Sequence, residues 1–306
     1  MIFRRDKSPE PKPGSRVFAA TITPRRPGQI EADIGALFEL LDFVAARGVS
    51  GIALYGSTGE FTHYTLDERA RVASLCIKRS RVPVLVNVSH STFEGTVFLA
   101  ESAAGAGAAG MLVMPPHYFR YNQEDIEAFF LAVGGAASKW APLYLYNIPV
   151  FASPVEARTS VRLLQTGMFA GIKDSGGDWA EFEMLTAARA THAFDLFTGN
   201  DRLFTRAKQA GASGIISGIA CALPELLVAI DAASENGRLD ARLQEFITRI
   251  EQLPAPVGIR EAVGLRGIQP GPHAAPLGET GLKALFEFRE WFKGWLPVVL
   301  RECKDA

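Results

Sequence analysis

The chain reads as an α/β protein, a closed (β/α)8 TIM barrel followed by a C-terminal helical extension. Three observations predict it. Eight short apolar runs alternate with eight stretches of helical periodicity between residues 17 and 234. The apolar runs are continuous rather than alternating, as in parallel strands covered on both faces. After the first run stand Thr21, Ile22, Thr23 and Pro24, not the glycine-rich phosphate turn that an open doubly wound sheet would place there.

The elements follow in order. A strand over 17–22 precedes a helix over 32–46, and a strand over 51–55 precedes a helix over 66–79. Strands over 82–88, 109–114 and 143–147 alternate with helices over 92–106, 123–138 and 155–165. The sixth strand, 169–173, leads to a helix over 179–188. The seventh and eighth, 194–198 and 214–217, lead to helices over 202–210 and 222–234. Gly48 and Gly211 stand where helices stop. Beyond residue 234 no strand pattern recurs, and 239–252, 257–265 and 282–300 read as helices. The expected organisation is a flexible tail over 1–15, charged and proline-rich, a barrel over 16–234 and an extension over 235–306.

Composition narrows the function classes. Of 306 residues, 48% are hydrophobic and 21% charged, with a formal net charge of -1. That balance offers no general attraction to nucleic acid or to an anionic membrane. No run approaches the roughly 18 apolar residues of a membrane-spanning helix. The N-terminal stretch lacks an apolar signal core, so a cytoplasmic protein is expected. Cys76, Cys221 and Cys303 fit no disulfide framework or paired metal spacing, and Cys76 and Cys221 read as packing residues. His63, His90, His117, His192 and His273 show no metal-ligand spacing. His117 is kept in view because it precedes Tyr118 at the end of the fourth strand. No metal or organic cofactor is expected.

The chemistry-bearing stretches lie at strand ends, where this fold gathers its active sites. In AGIKDSGG, residues 170–177, Lys173 closes an apolar strand. Burial disfavours an ammonium, and a neutral amine is a nucleophile suited to carbonyl carbon. The plainer reading is a lysine that reaches solvent or pairs with Asp174. In YGSTGE, residues 55–60, Ser57 and Thr58 sit between glycines at the end of strand two. Paired hydroxyls and exposed amides form a carboxylate cradle, or they simply cap the next helix. In LYNIP, residues 145–149, Tyr146 ends the strand beside that of Lys173. Its hydroxyl there either moves protons or serves packing alone.

Together GSTGE, YNIP and GIKDS resemble the dihydrodipicolinate synthase and N-acetylneuraminate lyase superfamily, over roughly residues 17–234. The resemblance implies a Schiff-base-forming lyase or aldolase acting on pyruvate or a pyruvate-derived 2-oxo acid. It implies Lys173 as the imine-forming residue and Tyr146 as the proton relay. Ser57 and Thr58 would hold the 2-oxo acid carboxylate and complete the relay. Tyr118, in MPPHYF, is similar to a tyrosine offered across a dimer interface, so a homodimer or homotetramer is implied. Ile216, in SGIISG, falls where the family lines its pocket with backbone groups.

Two departures bear on substrate. The synthases of this family carry an arginine two residues after the YNxP motif, where this chain has Phe151, and an apolar ring cannot replace a guanidinium. After strand seven the chain reads TGNDRLF. Gly199 and Asp201 are similar to the sialic acid lyases, but Arg202 stands where those carry glutamate. The expectation is aldol cleavage or dehydration of a 2-oxo-3-deoxy sugar acid. Asn200 and Asp201 would meet hydroxyls, and Arg202 would offer a cation to a carboxylate at the far end of the chain. The alternatives are a dihydrodipicolinate-type synthase using aspartate semialdehyde, and a non-catalytic binding barrel.

Overall fold

The computed structural model describes residues 16–233 and 237–306. The expected tail, 1–15, and the barrel's expected last residue, 234, lie outside them. Eight parallel strands close into a barrel in sequence order. They are β1 (Arg16–Ala20), β2 (Gly51–Leu54), β3 (Val84–Asn87), β4 (Gly110–Val113), β5 (Leu143–Asn147), β6 (Gly171–Asp174), β7 (Asp195–Thr198) and β8 (Gly214–Ser217). β1 pairs with both β2 and β8, which shuts the barrel. Nearly every strand residue is buried, because side chains on one face fill the barrel and those on the other meet the helices.

Between the strands run α1 (Ile34–Ala45), α2 (Leu66–Arg79), α3 (Phe93–Ala106), α4 (Gln123–Ala137), α5 (Ala157–Gln165), α6 (Trp179–Ala188), α7 (Phe204–Gln209) and α8 (Pro224–Ala232). Side chains of Asp33, Thr65, Thr92, Asn122 and Asp178 accept hydrogen bonds from the first turns of their helices, meeting amides that have no partner inside the helix. Gly48 and Gly211 adopt the left-handed conformation that closes helix ends.

The extension comprises α9 (Gly237–Ile250), α10 (Val257–Leu265) and α11 (Glu279–Lys304). α11 begins earlier and ends later than its sequence periodicity indicates; Glu302 in its last turns pairs with Arg238 and Arg242 of α9, and Trp291, Phe292 and Trp295 pack against Phe246 of α9. α9 also packs on the short 3-10 turn Asp201–Leu203 that follows β7. The extension therefore sits over the C-terminal ends of the last two strands. Arg260 of α10 joins it to the barrel. This side chain is 1% exposed, donates to Glu60 at 2.8 Å and to the Thr23 carbonyl at 3.0 Å, and also reaches the carbonyls of Pro270 and Pro272.

Candidate active site

Lys173 is 4% exposed, on a strand that runs one residue further than its apolar pattern indicates. Asp174 extends β6 because its backbone stays in register with Asn147 of β5 and Thr198 of β7, and its carboxylate accepts from Asn147 Nδ2 at 2.7 Å and the Gly176 amide at 3.2 Å. Asp174 is thus bound to Asn147, and among the described residues no ion pair joins it to Lys173. The parallel register sets Tyr146 of β5 directly beside Lys173. The amine lies 4.1 Å from the centre of the Tyr146 ring, and the Tyr146 hydroxyl is 3.3 Å from Ser57 Oγ. Two glycines make this packing possible. A Cβ on Gly199 would stand 2.6 Å from Lys173 Cε and 2.0 Å from Ser175 Oγ; one on Gly218 would stand 2.5 Å from Thr58 Oγ1.

The turn carrying Ser57 and Thr58 is backbone-strained at both ends. Tyr55 and Glu60 have φ of 58° and 53°, a left-handed conformation that costs non-glycine residues about 1–3 kcal/mol. Glu60 is held by Arg260, and the Gly59 carbonyl accepts from Thr23 Oγ1 at 2.8 Å.

These groups line one cavity of about 390 Å³. It gathers Ser57, Thr58, Tyr146, Lys173, Phe151, Gly199, Asn200, Asp201, Arg202 and Ile216, all named from the sequence. Tyr118 is not among its walls. It is 87% exposed, has φ of 81° and meets Phe119 edge-on. His117 lies outside the cavity too, with its ring edge-on to Phe61. Among the described residues no three His, Cys, Asp or Glu side chains gather as a metal-ligand set.

Asp201 receives a hydrogen bond from Ser217 Oγ, whose oxygen accepts from the Ala220 amide at 3.0 Å. Burial pushes the Asp201 carboxyl up to about 6, with the Ser217 bond and the charge of Lys173 pulling the other way. Arg202 corrects the expectation of an open cation. Its Nε donates to Glu251 Oε1 at 3.1 Å, its Nη2 to Glu251 Oε2 and its Nη1 to Gln244 Oε1 at 3.2 Å.

Sequence reasoning missed the wall supplied by the extension: Ile247, Ile250, Glu251, Ala255 and Ile259. Their periodicity is that of any amphipathic helix facing a core. It also passed over Ser175, two residues after Lys173, where GIKDS already held the signal.

The sequence profile of the dihydrodipicolinate synthetase family matches residues 13–293. The chain belongs to this family. It is 31% identical over 252 residues to the L-threo-3-deoxy-hexylosonate aldolase of Hypocrea jecorina, covering 76% of this chain and 79% of that one. It is 28% identical over 271 residues to the 4-hydroxy-tetrahydrodipicolinate synthase of Methanothrix thermoacetophila, covering 85% and 90%. The crystal structure of DHDPS from Cyanidioschyzon merolae with lysine bound superposes with a TM-score of 0.83 at 24% identity, covering 92% of this chain and 98% of that one, a likeness of fold. The expectation of a (β/α)8 barrel lyase is met by the family and by the closed barrel.

Proposed function

We propose that the chain cleaves or dehydrates a 2-oxo-3-deoxy sugar acid through an imine on Lys173. The observation that carries this reading is the buried amine against Tyr146, with the Ser57 hydroxyl next in line. The Ser57–Thr58 turn holds the substrate carboxylate. The Lys173 amine attacks the C2 carbonyl, and loss of water leaves an iminium. In aldol cleavage the C4 hydroxyl gives up its proton and the C3–C4 bond breaks. Its electron pair passes into the iminium to form an enamine, and the aldehyde departs. Protonation at C3 and hydrolysis then release pyruvate and restore the amine. Tyr146 carries protons in these steps, with Ser57 completing the relay.

Phe151 at the cavity wall supports a sugar acid over aspartate semialdehyde, since a carboxylate there would lack a cation. Tyr118 and Phe119, exposed together, suit a contact between copies in a cytoplasmic homodimer or homotetramer. The test is turnover of a panel of 2-oxo-3-deoxy sugar acids, read as pyruvate for cleavage and as a product one water lighter for dehydration. Cleavage or dehydration of at least one is expected. Efficient condensation of aspartate semialdehyde with pyruvate, with no sugar acid cleaved or dehydrated, would replace this reading by the synthase.

A further inference from the structure

The cavity has a second half that the imine chemistry does not use. Ile247 and Ile250 of α9, Ile259 of α10, and Val150 and Phe151 after β5 all line it. Lys173 and Arg202 are the cations among the described lining residues. In the proposed reaction Lys173 becomes the iminium. Arg202 is already occupied: Glu251, which follows α9 directly and also lines the cavity, takes Nε and Nη2 of the guanidinium, and Gln244 takes Nη1. Gln244 Nε2 donates back to the Arg202 carbonyl at 3.3 Å. The bidentate edge with which arginine receives a carboxylate or phosphate is therefore taken from within by Glu251, and Nη1 is held by Gln244. An anion arriving at this end meets the neutral Arg202–Glu251 pair, the Asp201 carboxyl and branched aliphatic side chains.

We propose that Glu251 sets substrate specificity at the tail end by neutralising Arg202, so that the site takes 2-oxo acids whose far end is uncharged. A chain ending in a hydroxymethyl or methyl group fits; one ending in carboxylate or phosphate is disfavoured. This rests on the Schiff-base reading above and reverses the role that the sequence suggests for Arg202. Both partners are partly exposed, at 40% and 57% of their side chains. Pairs so exposed contribute little to folding, so removing one charge leaves a folded protein whose specificity can be read.

The experiment compares two acids with the same hydroxylated chain, one ending in hydroxymethyl and one in carboxylate. They are measured by kcat/KM and, independently of turnover, as competitors of pyruvate in borohydride trapping. Wild type favours the uncharged tail. Glu251→Gln loosens the hold on the guanidinium and improves the diacid by about twofold to fivefold, the scale of one exposed charge contact. The gain falls mainly on KM, shrinks with added salt, and is lost in Arg202→Gln/Glu251→Gln. A wild type that prefers the diacid, or a Glu251→Gln change equal for both acids, overturns the proposal. Pyruvate trapping on Lys173 separates the two readings. With trapping intact and tail preference reversed, only the role of Glu251 falls. Without trapping, the Schiff-base reading falls first.

Discussion

The two ends of the cavity are built differently. At the imine end every polar group stands on a barrel strand or on the turn that follows one: Ser57 and Thr58 after β2, Tyr146 on β5, Lys173 on β6. The β5–β6 register sets Tyr146 beside Lys173, and the Tyr146 hydroxyl lies 3.3 Å from Ser57 Oγ. At the tail end α9, α10 and the residues between them supply Ile247, Ile250, Glu251 and Ile259 beside the barrel's Phe151 and Arg202, and the Arg202–Glu251 contact that joins the two is partly exposed. The difference separates the two tasks. Bond making needs groups fixed to fractions of an ångström, and a closed sheet supplies that rigidity. Tail selection needs only shape and charge, which helices outside the sheet can vary without disturbing the amine.

The comparison is broken most completely by Lys173→Ala. Turnover should fall to background in pyruvate-release assays, while circular dichroism stays that of a barrel. Tyr146→Phe should lower kcat by about 100-fold or more, as expected for a proton-transferring group, with KM changing far less. Near-normal kcat would make Tyr146 a packing residue.

Arg260→Ala cuts the join between the two regions. It leaves Glu60 buried without its main partner, so denaturant unfolding should show a loss of about 3–5 kcal/mol. A loss under about 1 kcal/mol would mean that the extension is not anchored through this pair.

The smallest expected effect is a pH dependence. Asp201 is a carboxylate above about 6 and protonated below it. In the proposed reaction its carboxylate form would accept hydrogen bonds from substrate hydroxyls. KM for a hydroxylated substrate should therefore rise as pH falls through about 6, by roughly threefold to tenfold, the scale of one hydrogen bond. Asp201→Asn should remove that limb. Stability runs in the opposite sense. The folded-state value lies above the ordinary 3.8, so the folded protein holds this proton more tightly. The stabilisation is present below about 4 and is lost as pH rises to about 6. Unfolding of wild type and Asp201→Asn across that window checks the sign.

The imine end was legible in the sequence for the reason that makes it rigid. A lysine closing an apolar strand is costly, and so conspicuous. A tyrosine at the end of the neighbouring strand acquires its place once the parallel order is known. The tail end was not legible. Ile247, Ile250 and Ile259 carry the same helical spacing as residues in any core, and only the three-dimensional path of the extension turns them toward the cavity. Arg202 was visible as a cation, but its partner Glu251 lies 49 residues away, beyond any local pattern. Asp174 was visible as a possible partner of Lys173, yet Asn147, at the end of the adjacent strand, takes it instead.

The central claim is that Lys173 is the nucleophile. It is tested most directly by incubating the protein with pyruvate, reducing with borohydride and mapping the modified peptide by mass spectrometry. The account predicts a single adduct per chain, on Lys173, absent from Lys173→Ala. An adduct on another lysine, or none while pyruvate is still released from a sugar acid, would contradict it.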